Sequence, residues 1–256
     1  MGRKTIASNT RDETRCNNAV FRADLTAKTD YSYDNINESY ADNGILKWSN
    51  TYGYDDYNNI FNLTYTDHTN SNNNTTTTNT FNKANRLTEQ LKQHDTTTLS
   101  DYSFDYDNAG NLLAKNSGQT TLQSYTYDAL NRTASVTNGS TATSFQYNAE
   151  GQRLRKITGN TTVNSIWDGG QIAFDYTNSN GTISKNQYIQ GTGADGVIKD
   201  GTIYFNALDV KGNVLTSSMD INSITKYDAY GNVKQSAENV TPYGYRGYYT
   251  DSETMY

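Results

Sequence analysis

The acidic residues are the groups in this sequence with the most obvious potential for chemistry. Asp105-Tyr106-Asp107-Asn108-Ala109-Gly110 resembles the opening of a calcium-binding loop, in which acidic residues alternate ahead of a Gly at the sixth position. The fifth position is Ala109, however, and the twelfth is Asn116, where such a loop needs a bidentate Glu. The stretch is therefore interpreted as a structural turn.

Other patterns for catalysis or cofactor binding are incomplete. Paired carboxylates of the glycosidase kind must face each other at about 5 to 10 Å, and here each recurring Asp is already explained by a turn. No Gly-x-Ser-x-Gly elbow is present, and His68 and His94 lie outside any nucleophile pattern. Gly191-x-Gly193-x-x-Gly196 matches the dinucleotide fingerprint in letters only, because Asp200-Gly201 would break the helix that must follow. The sequence predicts no enzyme, no cofactor and no catalytic residue.

Composition excludes further classes. Cys16 cannot form a disulfide within the chain, and one Cys with two distant His gives no structural metal site. The isoelectric point near 4.9 and the scattered cations argue against nucleic-acid binding. No apolar run is long enough to span a bilayer, and the first residues lack a signal-peptide core. Aliphatic residues are scarce, but 22 Tyr and 2 Trp supply enough apolar area to oppose disorder.

The elements that position the acidic residues are hairpins built on one recurring phrase. In Tyr227-Asp228-Ala229-Tyr230-Gly231-Asn232-Val233, the aromatic residue ends a strand, Asp suits the first position of a type I turn, and Gly can take a positive φ. Gly or Asn fills the later slot in every copy because both enter the left-handed region at low cost. The paired slots are Asp34/Asn37, Asp55/Asn58, Asn82/Asn85, Asp107/Gly110, Asp128/Asn131, Asn148/Gly151, Asp209/Gly212 and Asp228/Gly231.

The copies recur with a period of about 20 residues, which is typical of arrays that bury their apolar faces against neighbouring repeats. We therefore predict an all-β, mostly antiparallel array of hairpins. An aromatic residue stands before nearly every turn, and a second often stands two residues earlier, so the array is expected to carry an aromatic stripe on one strand face. Arg132, Arg153 and Arg155 follow turns and are expected to cover aromatic rings.

The predicted structural turn positions are those of the most regular part of the array: Asp107, Gly110, Asp128, Asn131, Asn148, Gly151, Asp209, Gly212, Asp228 and Gly231. If these turns are structural, a Gly-to-Ala change in them should destabilise by about 1 kcal/mol, whereas a Gly-to-Asn change should be milder. Residues 1–30 are predicted to be a polar, partly disordered lead-in, and residues 31–203 the repeat array. The final stretch, Tyr243 to Tyr256, is expected to form a strand with an unpaired, Tyr-rich edge.

The recurring Tyr-Asp-x-x-Gly-Asn unit resembles the YD repeat of bacterial Rhs and wall-associated proteins. Residues 207–214, 227–233 and 242–256 are similar to the first half of the Rhs repeat-associated core. The resemblance therefore implies that residues 204–256 form the first half of that core. The resemblance implies strands wound into a spiral β-shell that encloses a C-terminal toxin, on secreted or surface-displayed proteins that act in contact-dependent competition between bacteria. Tripartite insecticidal toxins and teneurins share that plan.

The implied partners are the remainder of the shell and an encapsulated C-terminal domain. The family motif for autoproteolytic release would lie beyond Tyr256, so self-cleavage is assigned to no residue here. The alternative is an array that binds carbohydrate of a cell wall or cell surface through exposed Tyr and Trp. Burial distinguishes the two, because shell aromatics should be inaccessible and sugar platforms should face solvent.

Overall fold

The computed structural model describes residues 30–31, 35–42, 45–191, 193–217, 224–237, 239–251 and 253. Within them the fold is all-β and antiparallel, as predicted, with two short 3₁₀ turns at Ser71–Asn73 and Tyr245–Gly247. The chain divides into two compact units, Met1–Thr121 and Leu122–Tyr256. The predicted polar lead-in and Cys16 lie outside the described residues, apart from Asp30.

The first unit contains eight strands that pair in sequence order, each antiparallel to the next. Alternating polar and apolar residues with many Thr and Tyr favour this extended geometry. The strands are β1 (Asp30–Tyr31), β2 (Asn35–Asp42), β3 (Ile45–Tyr54), β4 (Ile60–Asp67), β5 (Thr75–Phe81), β6 (Leu87–His94), β7 (Thr97–Tyr106) and β8 (Leu112–Ser117).

The second unit continues the same pattern from a strand that begins at the unit boundary. Nine strands pair in sequence order, and two short hairpins follow them. The strands are β9 (Thr120–Tyr127), β10 (Thr133–Asn138), β11 (Thr141–Tyr147), β12 (Arg153–Thr158), β13 (Thr161–Asp168), β14 (Gln171–Ser179), β15 (Thr182–Gln190), β16 (Ala194–Lys199), β17 (Thr202–Phe205), β18 (Ala207–Leu208), β19 (Val214–Thr216), β20 (Lys226–Tyr227) and β21 (Val233–Gln235).

A second family of turns alternates with the repeat turns and was not identified from the sequence. These are two-residue loops whose first residue has a positive φ, as the primed hairpin turns require. They occupy Asp95-Thr96, Gly118-Gln119, Gly139-Ser140, Gly159-Asn160, Gly169-Gly170, Asn180-Gly181 and Asp200-Gly201. In the last two the second residue also has a positive φ, as in type I′. Each repeat of about 20 residues therefore contains two strands and two different turns.

Two expectations from the sequence are wrong. Asn37 does not close a turn with Asp34, because it lies inside β2 and pairs with Asp30 on one side and Thr51 on the other; Asp34 is outside the described residues. The chain from Tyr243 is not a strand edge in its described part. It doubles back through the 3₁₀ turn at Tyr245–Gly247, where Arg246 has a φ of 53°, so Tyr243 and Tyr249 form an antiparallel bridge.

The main apolar core of the second unit lies beneath this returning segment. Its buried members come from β14, β15, β16, β19 and the C-terminal segment: Ile172, Tyr188, Ala194, Val197, Val214 and Tyr243. Tyr243 packs edge-to-face on both Tyr188 and Tyr249, with ring centroids 5.1 and 5.7 Å apart. Such aromatic pairs add to the burial of their area. The core therefore fixes the C-terminal segment against the sheet.

Candidate functional site

Each repeat turn is closed by the same two backbone hydrogen bonds. In the turn at Asp107, the Asp107 N–H donates to the Asn111 carbonyl at 3.0 Å, and the Gly110 N–H donates to the Asp107 carbonyl at 3.1 Å. The turns at Asp55, Asn82, Asp128, Asn148, Asp209 and Asp228 repeat this pattern. The fourth position has a positive φ in all of them, between 56° and 64° for Asn and between 81° and 98° for Gly. The ten predicted turn positions all lie in these turns.

The fifth position of the turn forms a pair with the first, a relation that the sequence analysis missed. Oδ1 of the first-position Asp accepts backbone N–H groups, and Oδ2 accepts the side chain at the fifth position. The donors to Oδ2 are Asn59 at 2.9 Å, Asn111 at 2.8 Å, Arg132 at 2.7 Å, Asn213 at 2.6 Å and Asn232 at 2.9 Å. Where the first residue is Asn148, its side-chain amide instead donates to the side-chain oxygen Oε1 of Gln152, at 2.8 Å. The two positions are therefore matched as donor and acceptor.

The fifth-position side chain also reaches the following turn. Arg86 donates to the carbonyl of Asp107 at 3.1 Å, Arg132 to that of Asn148 at 2.8 Å, and Gln152 to that of Gly169 at 2.5 Å. Arg132 lies over the Tyr147 ring at 4.9 Å, and Arg153 over Phe145 at 5.4 Å, which confirms the expected stacking for these two residues. Arg155 differs, because its guanidinium donates to Asn164. Neighbouring turns are thus bonded by side chains as well as by the sheet.

In four places, the aromatic residue that ends a strand before a turn makes the reverse connection to the preceding turn. Its polar atom donates to the carbonyl of the residue in the sixth position of that turn. The pairs are Tyr106 to Leu87 at 2.8 Å, Tyr147 to Thr133 at 2.9 Å, Trp167 to Arg153 at 2.9 Å and Tyr227 to Val214 at 3.1 Å. A hydroxyl or indole N–H is needed for this bond, which explains why Tyr dominates the position.

Replacing Tyr147 by Phe should lower the free energy of unfolding by about 1 kcal/mol, because the ring can still stack under Arg132 while the Thr133 carbonyl loses its donor. Urea unfolding followed by far-UV circular dichroism measures the effect. The matched control is Tyr57→Phe, since the Tyr57 side chain is exposed in the turn at Asp55. Equal stabilities for the two variants would contradict the bond between turns.

The carboxylates of three turns, those of Asp55, Asp107 and Asp128, have pKa values below the ordinary value for Asp. The side-chain hydrogen bonds from Asn59 and Asn111 lower the pKa of Asp55 and Asp107, and the Arg132 backbone N–H lowers that of Asp128. A lowered folded-state pKa stabilises the fold above the unfolded value, near pH 4, and this stabilisation disappears as the pH falls through the folded value. The array should therefore lose stability in acid.

We expect the urea midpoint to fall progressively below about pH 4, where unfolded Asp begins to bind protons. Asp107→Asn should weaken this dependence, because an amide does not titrate and the Asn148–Gln152 pair shows that Asn fits the first position. At neutral pH the same change should have little effect. A pH profile identical to that of the wild type would exclude Asp107 as a contributor.

A buried carboxylate in the second unit collects three hydroxyl groups. Asp175, on β14, is 2% exposed and accepts hydrogen bonds from Ser165 at 2.6 Å, Tyr188 at 2.7 Å and Tyr249 at 3.0 Å. Burial, and then the charge of Asp175, raise the pKa of Tyr243 to about 12 and raise those of Tyr188 and Tyr249 further. These hydroxyls therefore remain protonated, and Tyr188 and Tyr249 remain donors to Asp175, at neutral pH. Sequence periodicity gave no sign of this cluster.

Ion pairs extend the cluster across β12. Arg153 pairs with Asp251, and Lys156 lies 3.1 Å from Asp251 and 3.0 Å from Glu253. The Arg153 guanidinium also lies over the Tyr249 ring at 5.3 Å. All four charged side chains are largely buried. Removing one partner of a buried pair would leave an uncompensated charge, so the pairs favour this docked position of the segment. The arrangement can bind and orient a polypeptide segment.

A Ser–His pair was also missed by the sequence analysis. Ser49 Oγ lies 2.9 Å from His68 Nε2, which is the contact that a nucleophile and its base would make. In the described part of the chain no carboxylate contacts His68, so the third group of a triad is lacking. The pair is exposed, and the geometry supports a surface hydrogen bond.

Within the described residues, no group of three or more His, Cys, Asp or Glu is placed to hold a metal ion. The Asp105 carboxylate, on β7, accepts the Asn116 amide at 2.8 Å. No helix among those residues has the length and apolar character to cross a bilayer.

Comparison with known proteins gives structural likeness only. No protein-family model and no curated protein matches the sequence. Similar solved structures include TcdB2-TccC3-TEV, 13% identical over 86% of this chain and 16% of that chain (TM-score 0.40), and a Photorhabdus luminescens Tc holotoxin pore with a mutated TccC3, 14% identical over 88% and 16% (TM-score 0.41). TcdB2-TccC3 without its hypervariable C-terminal region is 11% identical over 85% and 18% (TM-score 0.32). The chain spans less than a fifth of these structures. At such identities and scores no function passes from them to this chain.

Proposed function

We propose that this chain is a wall segment of the β-shell of an exported Rhs/YD-repeat protein. Residues 31–203 would form the repeat array, and residues 204–256 the first half of the repeat-associated core. The observation that supports a wall is the bonding of repeat turns to one another in both directions along the chain, through the fifth-position side chain and the preceding aromatic residue. Such bonds stiffen an extended sheet. They also use polar groups of the turns that could otherwise bind a ligand.

The first-position carboxylates support the same conclusion. In the turn at Asp228, the buried carboxylate accepts the N–H groups of Tyr230 and Asn232 and the Asn232 amide, and lies 3.4 Å from the Lys234 ammonium. Its oxygens are thus occupied within the turn and its neighbouring strand. A metal-binding or general-acid role would need free oxygen positions.

The burial of the repeat aromatics favours the wall over the carbohydrate-binding array. Tyr52, Tyr125 and Phe145, which stand three residues before the turns at Asp55, Asp128 and Asn148, are at most 8% exposed. Stacking on a sugar ring would require one open face on each. The proposed partners are therefore the remaining shell and a C-terminal toxin domain enclosed by it, and the proposed location is extracellular or at the cell surface.

Electron cryo-microscopy of the complete gene product tests this function. We expect a closed shell with the repeat turns stacked along its wall and separate density inside. An open sheet, with both faces in solvent and no enclosed density, would overturn the proposal. Binding of the chain to purified peptidoglycan that is lost on mutation of exposed Tyr230 and Tyr248 would instead support the carbohydrate alternative.

A further inference from the structure

The C-terminal segment is held against β12 to β15 by side chains. We call residues 239–251 and 253 the strap. Among the described residues its backbone hydrogen bonds are internal or involve Asn213, Val214 and Ser217: the Thr250 N–H donates to the Pro242 carbonyl, and the Val214 N–H donates to the Gly244 carbonyl. None of them joins the strap to β12–β15. The strap is therefore not a strand of the sheet but a segment docked on its face.

The docking residues alternate along the strap. Tyr249, Asp251 and Glu253 point to the sheet, where they contact Asp175, Arg153 and Lys156. Tyr248, which precedes Tyr249, and Thr250, which lies between Tyr249 and Asp251, are exposed. This is the alternation of an extended chain, with every second side chain on one face. The recognised pattern is Tyr-x-Asp-x-Glu.

The sheet side of the contact is incomplete without such a segment. In the described part of the protein, the ion-pair partners of Arg153 and Lys156 are the strap carboxylates Asp251 and Glu253. Asp175 receives two hydroxyl donors from the sheet and its third from the strap. Two buried cations and an acceptor thus face the strap, and each finds the complementary group there.

We propose that Arg153, Lys156, Asp175 and their neighbours on β12–β15 form a binding site for an extended segment of the pattern Tyr-x-Asp-x-Glu, which this chain's own strap fills in cis. The site is suited to an acidic polypeptide that contains a Tyr. Its two cations, Arg153 and Lys156, pair with two carboxylates, and its carboxylate, Asp175, accepts a hydrogen bond from a phenol. The strap carboxylates keep some exposure, so their ion pairs weaken as salt rises, whereas the strand ladder and the buried ring of Tyr243 do not depend on charge. The end of the strap that carries Tyr249, Asp251 and Glu253 can therefore detach while Tyr243 stays in the core and the sheet persists. The site would act in this way whether or not the chain forms a shell wall.

Peptide binding to the full chain tests the site. The probe is a fluorescent peptide of residues 243–253, and the receptor is the Asp251→Asn/Glu253→Gln variant, in which the cis strap has lost the two carboxylates that pair with Arg153 and Lys156. We expect binding to this variant at low salt, weakened by about tenfold or more at 0.5 M salt, where the Debye length falls to a few ångströms. The wild-type chain should bind the peptide at least about tenfold more weakly, because its own strap occupies the site.

The controls isolate the contacts. A peptide with Asn and Gln in place of its Asp and Glu should not bind, and Arg153→Gln/Lys156→Gln in the receptor should abolish binding. Equal binding to wild type and variant, or no binding to a variant that keeps its β-sheet circular dichroism, would overturn the proposal. Hydrogen exchange in the wild-type chain gives a second readout: strap amides should exchange faster in high salt while β14 amides do not. Exchange of strap and β14 at one common rate at all salt concentrations would also overturn it.

Discussion

Replacing Asp175 by Ala should lower the free energy of unfolding by about 3 kcal/mol or more, because the hydroxyls of Ser165, Tyr188 and Tyr249 would lose a common acceptor. Each buried donor left without a partner costs about 1 to 3 kcal/mol. Ser165 and Tyr188 are buried, and Tyr249 is partly buried. Urea unfolding followed by tyrosine fluorescence measures the loss.

Two variants serve as controls for Asp175→Ala. Asp175→Asn keeps one acceptor oxygen and nearly the same volume, so it should cost clearly less than the Ala change. Asp168→Ala removes an exposed carboxylate at the end of β13 and should stay within about 0.5 kcal/mol of wild type. An Asp175→Ala variant as stable as Asp168→Ala would show that the three hydroxyls do not depend on this carboxylate.

The part of the fold that could be predicted from sequence is the part set by short-range chemistry. At Asp107 and Gly110, the hydrogen bonds of the Asp side chain and the positive φ of the Gly involve only five consecutive residues. The local sequence therefore determines the turn. The intervening hairpins carried the same kind of signal, since Asn180-Gly181 and Asp200-Gly201 are typical type I′ sequences. Asn37 shows the limit of the pattern, because Asn is also tolerated within a strand and pairing with Thr51 holds it there.

The candidate site could not be predicted, because it joins distant residues. Arg153 and Asp251 are separated by 98 positions, and Asp175 and Tyr249 by 74. Local pattern made the C-terminal stretch look like a strand, whereas Gly244, Arg246 and Gly247 reverse the chain and direct Tyr249 towards Asp175. The bonds between turns have the same origin, since they join residues 13 to 21 positions apart.

The glycines of the repeat turns should differ in their tolerance of Asn, although the sequence predicts the same mild effect for all. A Cβ at Gly151 meets no atom within 4 Å, whereas a Cβ at Gly231 would lie 2.7 Å from the Tyr245 ring. That ring is fixed, because the Tyr245 hydroxyl donates to the Ala229 carbonyl at 2.7 Å and the ring packs on Tyr227. The space above the turn, and not its φ alone, therefore decides the cost at Gly231.

We expect Gly151→Asn to cost less than about 1 kcal/mol, since Asn already occupies this slot at Asn131 with a φ of 59°. Gly231→Asn should cost about 1 to 3 kcal/mol more, because the added atoms must displace Tyr245. A double-mutant cycle separates the two causes: in a Tyr245→Ala background, Gly231→Asn should become as mild as Gly151→Asn. If the penalty at Gly231 persisted without the ring, backbone strain would be its source, and the packing of Tyr245 on the last repeat turn would have no part in it.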